Sequence, residues 1–178
     1  MKYLVCRAIV TTVLAGAALT PRAQTTSSIS PAEVTAEIRA VGAKATLTKL
    51  YDTDAWSTSV LPGIASGALA WIRVAEQLKR VADGAPAEDL DIALRLDALS
   101  SAPLRVLPEL ARIYGESVEN ICHVSFEAEL PKPDVATYLR NTRAKLSLGR
   151  SVRTREMADA CKRGLAMTEV DARTQGLL

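Results

Sequence analysis

Aromatic side chains are scarce in this chain: two Trp, four Tyr and one Phe among 178 residues. The 48% hydrophobic content is carried largely by Ala and Leu, which favours helices over sheets. Histidine occurs once, at His123, so any histidine-dependent mechanism must run through that residue. Cysteine occurs three times, at Cys6, Cys122 and Cys161. Two cysteines and one histidine do not complete a zinc site, and the adjacency of Cys122 and His123 lacks metal-ligand spacing, so no metal or other cofactor is expected. No long apolar run is present either. The longest useful one, Ala8 to Leu19, falls short of the roughly 18 residues that span a bilayer.

That run does have a meaning. Preceded by Lys2 and Arg7 and followed by small and polar residues, it reads as an export signal. Ala23 suits the last signal position, although Pro21 is unusual two residues earlier, and cleavage after Ala17 or Thr20 stays open. The expected organisation is a signal peptide over 1–23, a flexible lead-in over 24–30 and one helical domain over 31–174. Cys6 precedes the apolar core and is discarded with the signal. A periplasmic or secreted protein without a stable transmembrane anchor follows.

Removing Lys2, Arg7 and Arg22 leaves 19 basic against 20 acidic residues, so the mature chain is close to neutral. A general nucleic-acid-binding role thereby loses its compositional support. Cys122 and Cys161 remain, in a compartment that permits oxidation, and are expected to be joined. Closing a loop of about 40 residues contributes on the order of 4 kcal/mol by chain entropy. The competing reading is two free, buried thiols.

Helix signals begin at Ser30, Pro31 and Glu33, a capping-box pattern with proline at the first helical position. Val34, Ile38, Val41 and Ala45 continue one apolar face to about Leu50. Asp54 opens a short turn with Trp56 and Val60 that ends at Pro62 and Gly63. Ser66 caps a helix carrying Trp71, Val74, Ala75, Leu78 and Val81, which Gly84 stops. Pro86, Glu88, Asp89 and Asp91 open the next, running to about Leu99. Ser101 and Pro103 start another, where Pro108 is expected to kink or shorten the element before Gly115. Val118 to Cys122 reads as a single turn and His123 to Leu130 as an extended connection. Pro131 and Pro133 delimit a helix ending before Gly149, and Ser151 or Thr154 starts the last. The expected fold is all-α: a single-domain bundle or stacked helical hairpins of five to seven helices.

The stretch from Gly63 to Tyr138 resembles a set of small, exported, helical bacterial proteins of no assigned function. The resemblance rests on Ile64-Ala65-Ser66-Gly67, Ala70-Trp71, Glu88-Asp89-Leu90-Asp91, and Cys122 followed by Phe126. It implies a bacterial envelope setting and a helical fold, and no catalytic residue.

Candidate sites come mainly from charge. Asp83 to Leu130 holds ten acidic and three basic residues, and Pro131 to Leu178 ten basic and five acidic, so the two stretches carry −7 and +5. Arg140, Arg143, Lys145, Arg150, Arg153 and Arg155 form a basic cluster across one helix end and the next helix start, suited to steering an acidic partner. The plainer account is mutual neutralisation within the fold. Trp71 lies on a core face, whereas Trp56, among Ser and Thr, is a contact residue if partly exposed. A Cys122–His123 catalytic pair needs a free thiolate, which a disulfide removes. Glu109, Glu116 and Glu119 are the carboxylates open to general-acid work, against a solvated-face reading. The leading expectation is a non-catalytic protein that binds another macromolecule, most plausibly a protein, in the manner of an envelope inhibitor or immunity protein. The alternatives are a carboxylate-dependent cell-wall glycan hydrolase and a small-ligand carrier.

Overall fold

The structure, a computed structural model, describes residues 28–126 and 129–178. The expected signal peptide over 1–23 and Cys6 lie outside the described residues, as does most of the expected lead-in. The described residues form nine helices and no strand, the expected all-α class.

The first helix, α1 (Pro31–Val41), begins as its sequence dictates. Glu33 N–H donates to Ser30 Oγ at 3.3 Å and Ser30 N–H donates to the Glu33 carboxylate at 2.7 Å, so both halves of the capping box are made. The expected continuation to Leu50 is broken at Gly42, whose φ of +89° a side chain would resist. α2 (Ala43–Tyr51) therefore folds back on α1. The Lys49 ammonium reaches Glu37 at 2.7 Å, although an unbroken helix would set these residues about 18 Å apart.

α3 (Trp56–Ala65) starts with a wider, π-helical stretch over Trp56–Val60 and passes through Pro62 and Gly63, where an end was expected. Ser66 closes α3 instead of opening its successor: its hydroxyl donates to the Gly63 carbonyl at 2.6 Å and accepts from Ala68 N–H. α4 (Leu69–Lys79) buries Ile72, Val74, Ala75 and Leu78. Trp71 is half-buried on that core and lies over Gly63, where an added Cβ would sit 2.4 Å from the indole. Among the described residues no single helix is long and apolar enough to cross a membrane; α3 and α4 together have the composition but meet at 116°.

α5 spans 84–101, with a π-helical stretch over Ile92–Ala98 that packs on α3. α6 (Pro103–Tyr114) continues through Pro108 for 12 residues, contrary to the expected shortening. Val106, Leu107 and Leu110 are wholly buried on both sides of the proline. At about 1.5–3 kcal/mol for each fully buried large apolar side chain, this anchoring outweighs the roughly 3 kcal/mol penalty of an interior proline. α6 is the central helix, in contact with α4, α5, α8 and α9.

α7 (Val118–Cys122) is a short turn capped by Ser117, α8 (Val135–Leu146) is capped by Asp134, and α9 (Val152–Thr174) is capped by Ser151. α7 and α9 are in intimate contact, and Cys122 and Cys161 join them through a fully buried disulfide. Thr168 accepts from Val124 N–H at 2.8 Å and donates to the Cys122 carbonyl, fastening the non-helical connection after α7 to the same helix. The count exceeds the five to seven expected, chiefly because Gly42 splits the first helix and the short α7 turn stands as an element of its own.

Candidate functional site

Trp56, expected to be a contact residue if partly exposed, does not meet that condition. It is 4% exposed, meets Tyr51 edge to face, and donates its indole N–H to Asp89 at 2.8 Å, so it belongs to the core. Cys122 is consumed in the disulfide, which leaves His123 without a neighbouring thiol. The His123 Nε2 instead lies 2.7 Å from Asp171 on α9.

Each of the three sequence-nominated carboxylates has an arginine partner. Glu109 is 2.9 Å from Arg112, Glu116 is 3.5 Å from Arg95, and Glu119 is 2.7 Å from Arg163. None of the three lines a described groove. The groove of about 320 Å³ beside the π-helical stretch of α5 is bordered by other residues, among them Glu88, Asp91, Arg95, His123 and Glu129. Behind its wall, Tyr114 donates its hydroxyl to Asp91 at 2.6 Å while Lys79 and Arg95 lie 4.7 and 5.0 Å from its ring centre. Burial and the Asp91 hydrogen bond push the Tyr114 hydroxyl well above its ordinary range, so it remains protonated and rigidly held. Sequence reasoning passed over this cluster. Its members come from α4, α5 and α6, at separations of 12 and 23 residues that carry no periodic signal.

The basic cluster that looks continuous in the sequence is two surfaces in the fold. Arg140 and Arg143 on α8 face the C-terminal half of α9, where Arg143 reaches Glu169 at 2.6 Å and Arg173 pairs with the same carboxylate. Arg150, Arg153 and Arg155 lie at the opposite end of α9. From Arg155 to Arg173 the helix rises about 27 Å, so the two groups cannot share one small ligand.

The end near Arg150 is a basic and apolar apex. Leu148 is 69% and Val152 63% exposed. Among the described residues Arg150, Arg153 and Arg155 form no ion pair, whereas Arg80, Arg95, Arg112, Arg143, Arg163 and Arg173 all do. Leu148 also borders a shallow groove of about 210 Å³ with Leu104, Arg105 and Lys145, and the Lys145 ammonium is steadied there by the Ser100 carbonyl at 2.6 Å. Unpaired cations beside exposed aliphatic side chains are suited to desolvation against an acidic surface. Among the described residues no group of three or more His, Cys, Asp or Glu is arranged to hold a metal ion.

The described residues form a disulfide-linked, all-α domain with an exposed basic and apolar apex. No family model matches the chain, and neither a curated protein nor a solved structure matches it.

Proposed function

We propose that this is an exported, periplasmic or secreted protein that acts by binding an acidic protein partner through the apex formed by Leu148, Arg150, Val152, Arg153 and Arg155. The observation that carries the reading is the coincidence at one end of α9 of two exposed aliphatic side chains and three arginines without ion-pair partners among the described residues. Exposed apolar surface rimmed by charge is characteristic of interaction sites. The intramolecular disulfide, the signal-like N-terminal pattern and the engagement of Glu109, Glu116 and Glu119 by arginines favour binding in an oxidising compartment over carboxylate catalysis. An envelope inhibitor or immunity protein is the form of binding protein this combination fits.

The test is purification of the protein from the envelope fraction of its source cells, beside a variant carrying Arg150→Glu, Arg153→Glu and Arg155→Glu. The expected result is a stoichiometric acidic protein that dissociates at high salt and is absent from the variant. Retention of the same partner by the reversed variant, or indifference to salt, would overturn the assignment of the apex.

A further inference from the structure

A third groove, of about 530 Å³, runs between α8 and the C-terminal half of α9, away from the apex. Three arginines line it, Arg140, Arg143 and Arg173, with a single carboxylate, Glu169. Its apolar lining comes from the exposed Ala136 and from Leu178, 45% exposed, with the core residue Leu139 beneath them.

The arginines are held in place but not used up. Glu169 accepts from Arg143 at 2.6 Å and from Arg173, and Arg143 is further steadied by the Leu165 carbonyl at 3.4 Å. Arg140 donates to the Thr137 hydroxyl at 3.0 Å, which in turn donates to the Asp134 carboxylate at 3.0 Å, so Arg140 makes no direct ion pair among the described residues and its nearest counter-charge is one hydroxyl away. In all three the bonded nitrogen is Nη2, and among the described residues Nε and Nη1 make no hydrogen bond. A guanidinium presents five N–H donors in a planar fork that fits an oxyanion in bidentate fashion. Among the described residues Glu169 is the one carboxylate in ion-pair contact with this set, and it engages Arg143 and Arg173.

We propose that this groove is a binding site for an amphiphilic anion: a carboxylate or phosphate headgroup held by Arg140, Arg143 and Arg173, on a short apolar body lying against Ala136 and Leu178. The site is separate from the apex and stands whether or not the apex binds a protein. Hydrophobic contact alone would not select it, because the apolar lining is small, and charge alone would not either, because inorganic anions cannot cover Ala136 and Leu178. The combination selects ligands that carry both.

Amide-resolved NMR titration of the full protein tests this with four probes: hexyl phosphate, hexanoate, hexanol and inorganic phosphate. Binding of at least one alkyl anion should shift amides over residues 136–143 and 169–173 and leave 150–155 unmoved. Hexanol and inorganic phosphate should bind at least about tenfold more weakly, since each lacks half of the recognition. Arg140→Gln and Arg173→Gln should each weaken the alkyl anion by about fivefold to tenfold. Arg140 is exposed and hydrogen-bonds only Thr137, so its variant is expected to fold normally, which circular dichroism checks. No shift at the groove with either alkyl anion overturns the proposal. So does equal binding of hexanol or of inorganic phosphate, unaltered affinity in both Gln variants, or shifts centred on 150–155. Phosphatidylglycerol vesicles separate the two sources of such a headgroup. Co-sedimentation lost in Arg140→Gln assigns a lipid surface, and binding of the soluble alkyl anion without co-sedimentation assigns a free amphiphile.

Discussion

Gly164 lies against the carbonyl of Glu119 so closely that a Cβ at position 164 would stand 2.1 Å from that oxygen. The backbones of α7 and α9 approach each other at this point, three residues along α9 from the disulfide at Cys161. Backbone cannot yield as a flexible side-chain tip does. Gly164→Ala should therefore destabilise the protein by on the order of 1–3 kcal/mol, although alanine is the better helix former by about 1 kcal/mol. Urea denaturation checks this, and a variant as stable as the parent would show that α7 is free to move.

The disulfide fastens the same junction. Replacing both Cys122 and Cys161 by Ser should lower stability by about 4 kcal/mol, the chain-entropy value for the loop closed by a separation of 39 residues. Because Ser leaves hydroxyls in a fully buried site, the Ala double variant is the cleaner comparison. Equal midpoints for oxidised and reduced wild-type protein in a denaturant series would contradict the expectation.

Trp56 and Asp89 offer a separation of packing from hydrogen bonding. Trp56→Phe keeps a buried ring but removes the donor to Asp89, which is partly exposed and can turn to water, so a loss of about 1 kcal/mol is expected. Trp56→Ala removes the ring as well and should cost about 3–5 kcal/mol. Similar losses in the two variants would mean that the hydrogen bond, not the ring, holds α3 to α5.

Glu76 sets an acid limit on stability. The hydrogen bond from Arg112 chiefly, with Arg80 assisting, holds its carboxyl down to about 2 against an ordinary value of 4.5. A carboxylate depressed in the folded state contributes fully above the unfolded value and loses that contribution as pH falls through the folded one. The melting temperature of the wild type should thus fall between pH 4.5 and about 2 more steeply than that of Glu76→Gln, which should already be less stable at neutral pH. Parallel pH profiles would remove Glu76 from the account.

The apex should behave oppositely to these structural sites. Arg150, Arg153 and Arg155 make no ion pairs among the described residues, so reversing any one to Glu should change stability by no more than about 0.5 kcal/mol. A marked loss of melting temperature would show that these arginines serve the fold.

Sequence by itself determined the helical class, the capping box at Ser30 and Glu33, the starts of α8 just after Pro133 and of α9 near Ser151, and the pairing of Cys122 with Cys161. These depend on local backbone chemistry or on there being only two cysteines beyond Cys6. Tertiary structure decided the rest. Gly42 turns one predicted helix into a hairpin because only the fold uses its positive φ, and Pro108 stays within α6 because burial on both sides outweighs its lost hydrogen bond. Trp56, polar in its sequence surroundings, is core because α5 brings Asp89 to its indole. The basic cluster divides because residues adjacent in a charge count lie at opposite ends of a 23-residue helix. Whether an arginine is spent on a carboxylate or left for a ligand depends on partners distant in the chain, and no local pattern encodes those distances.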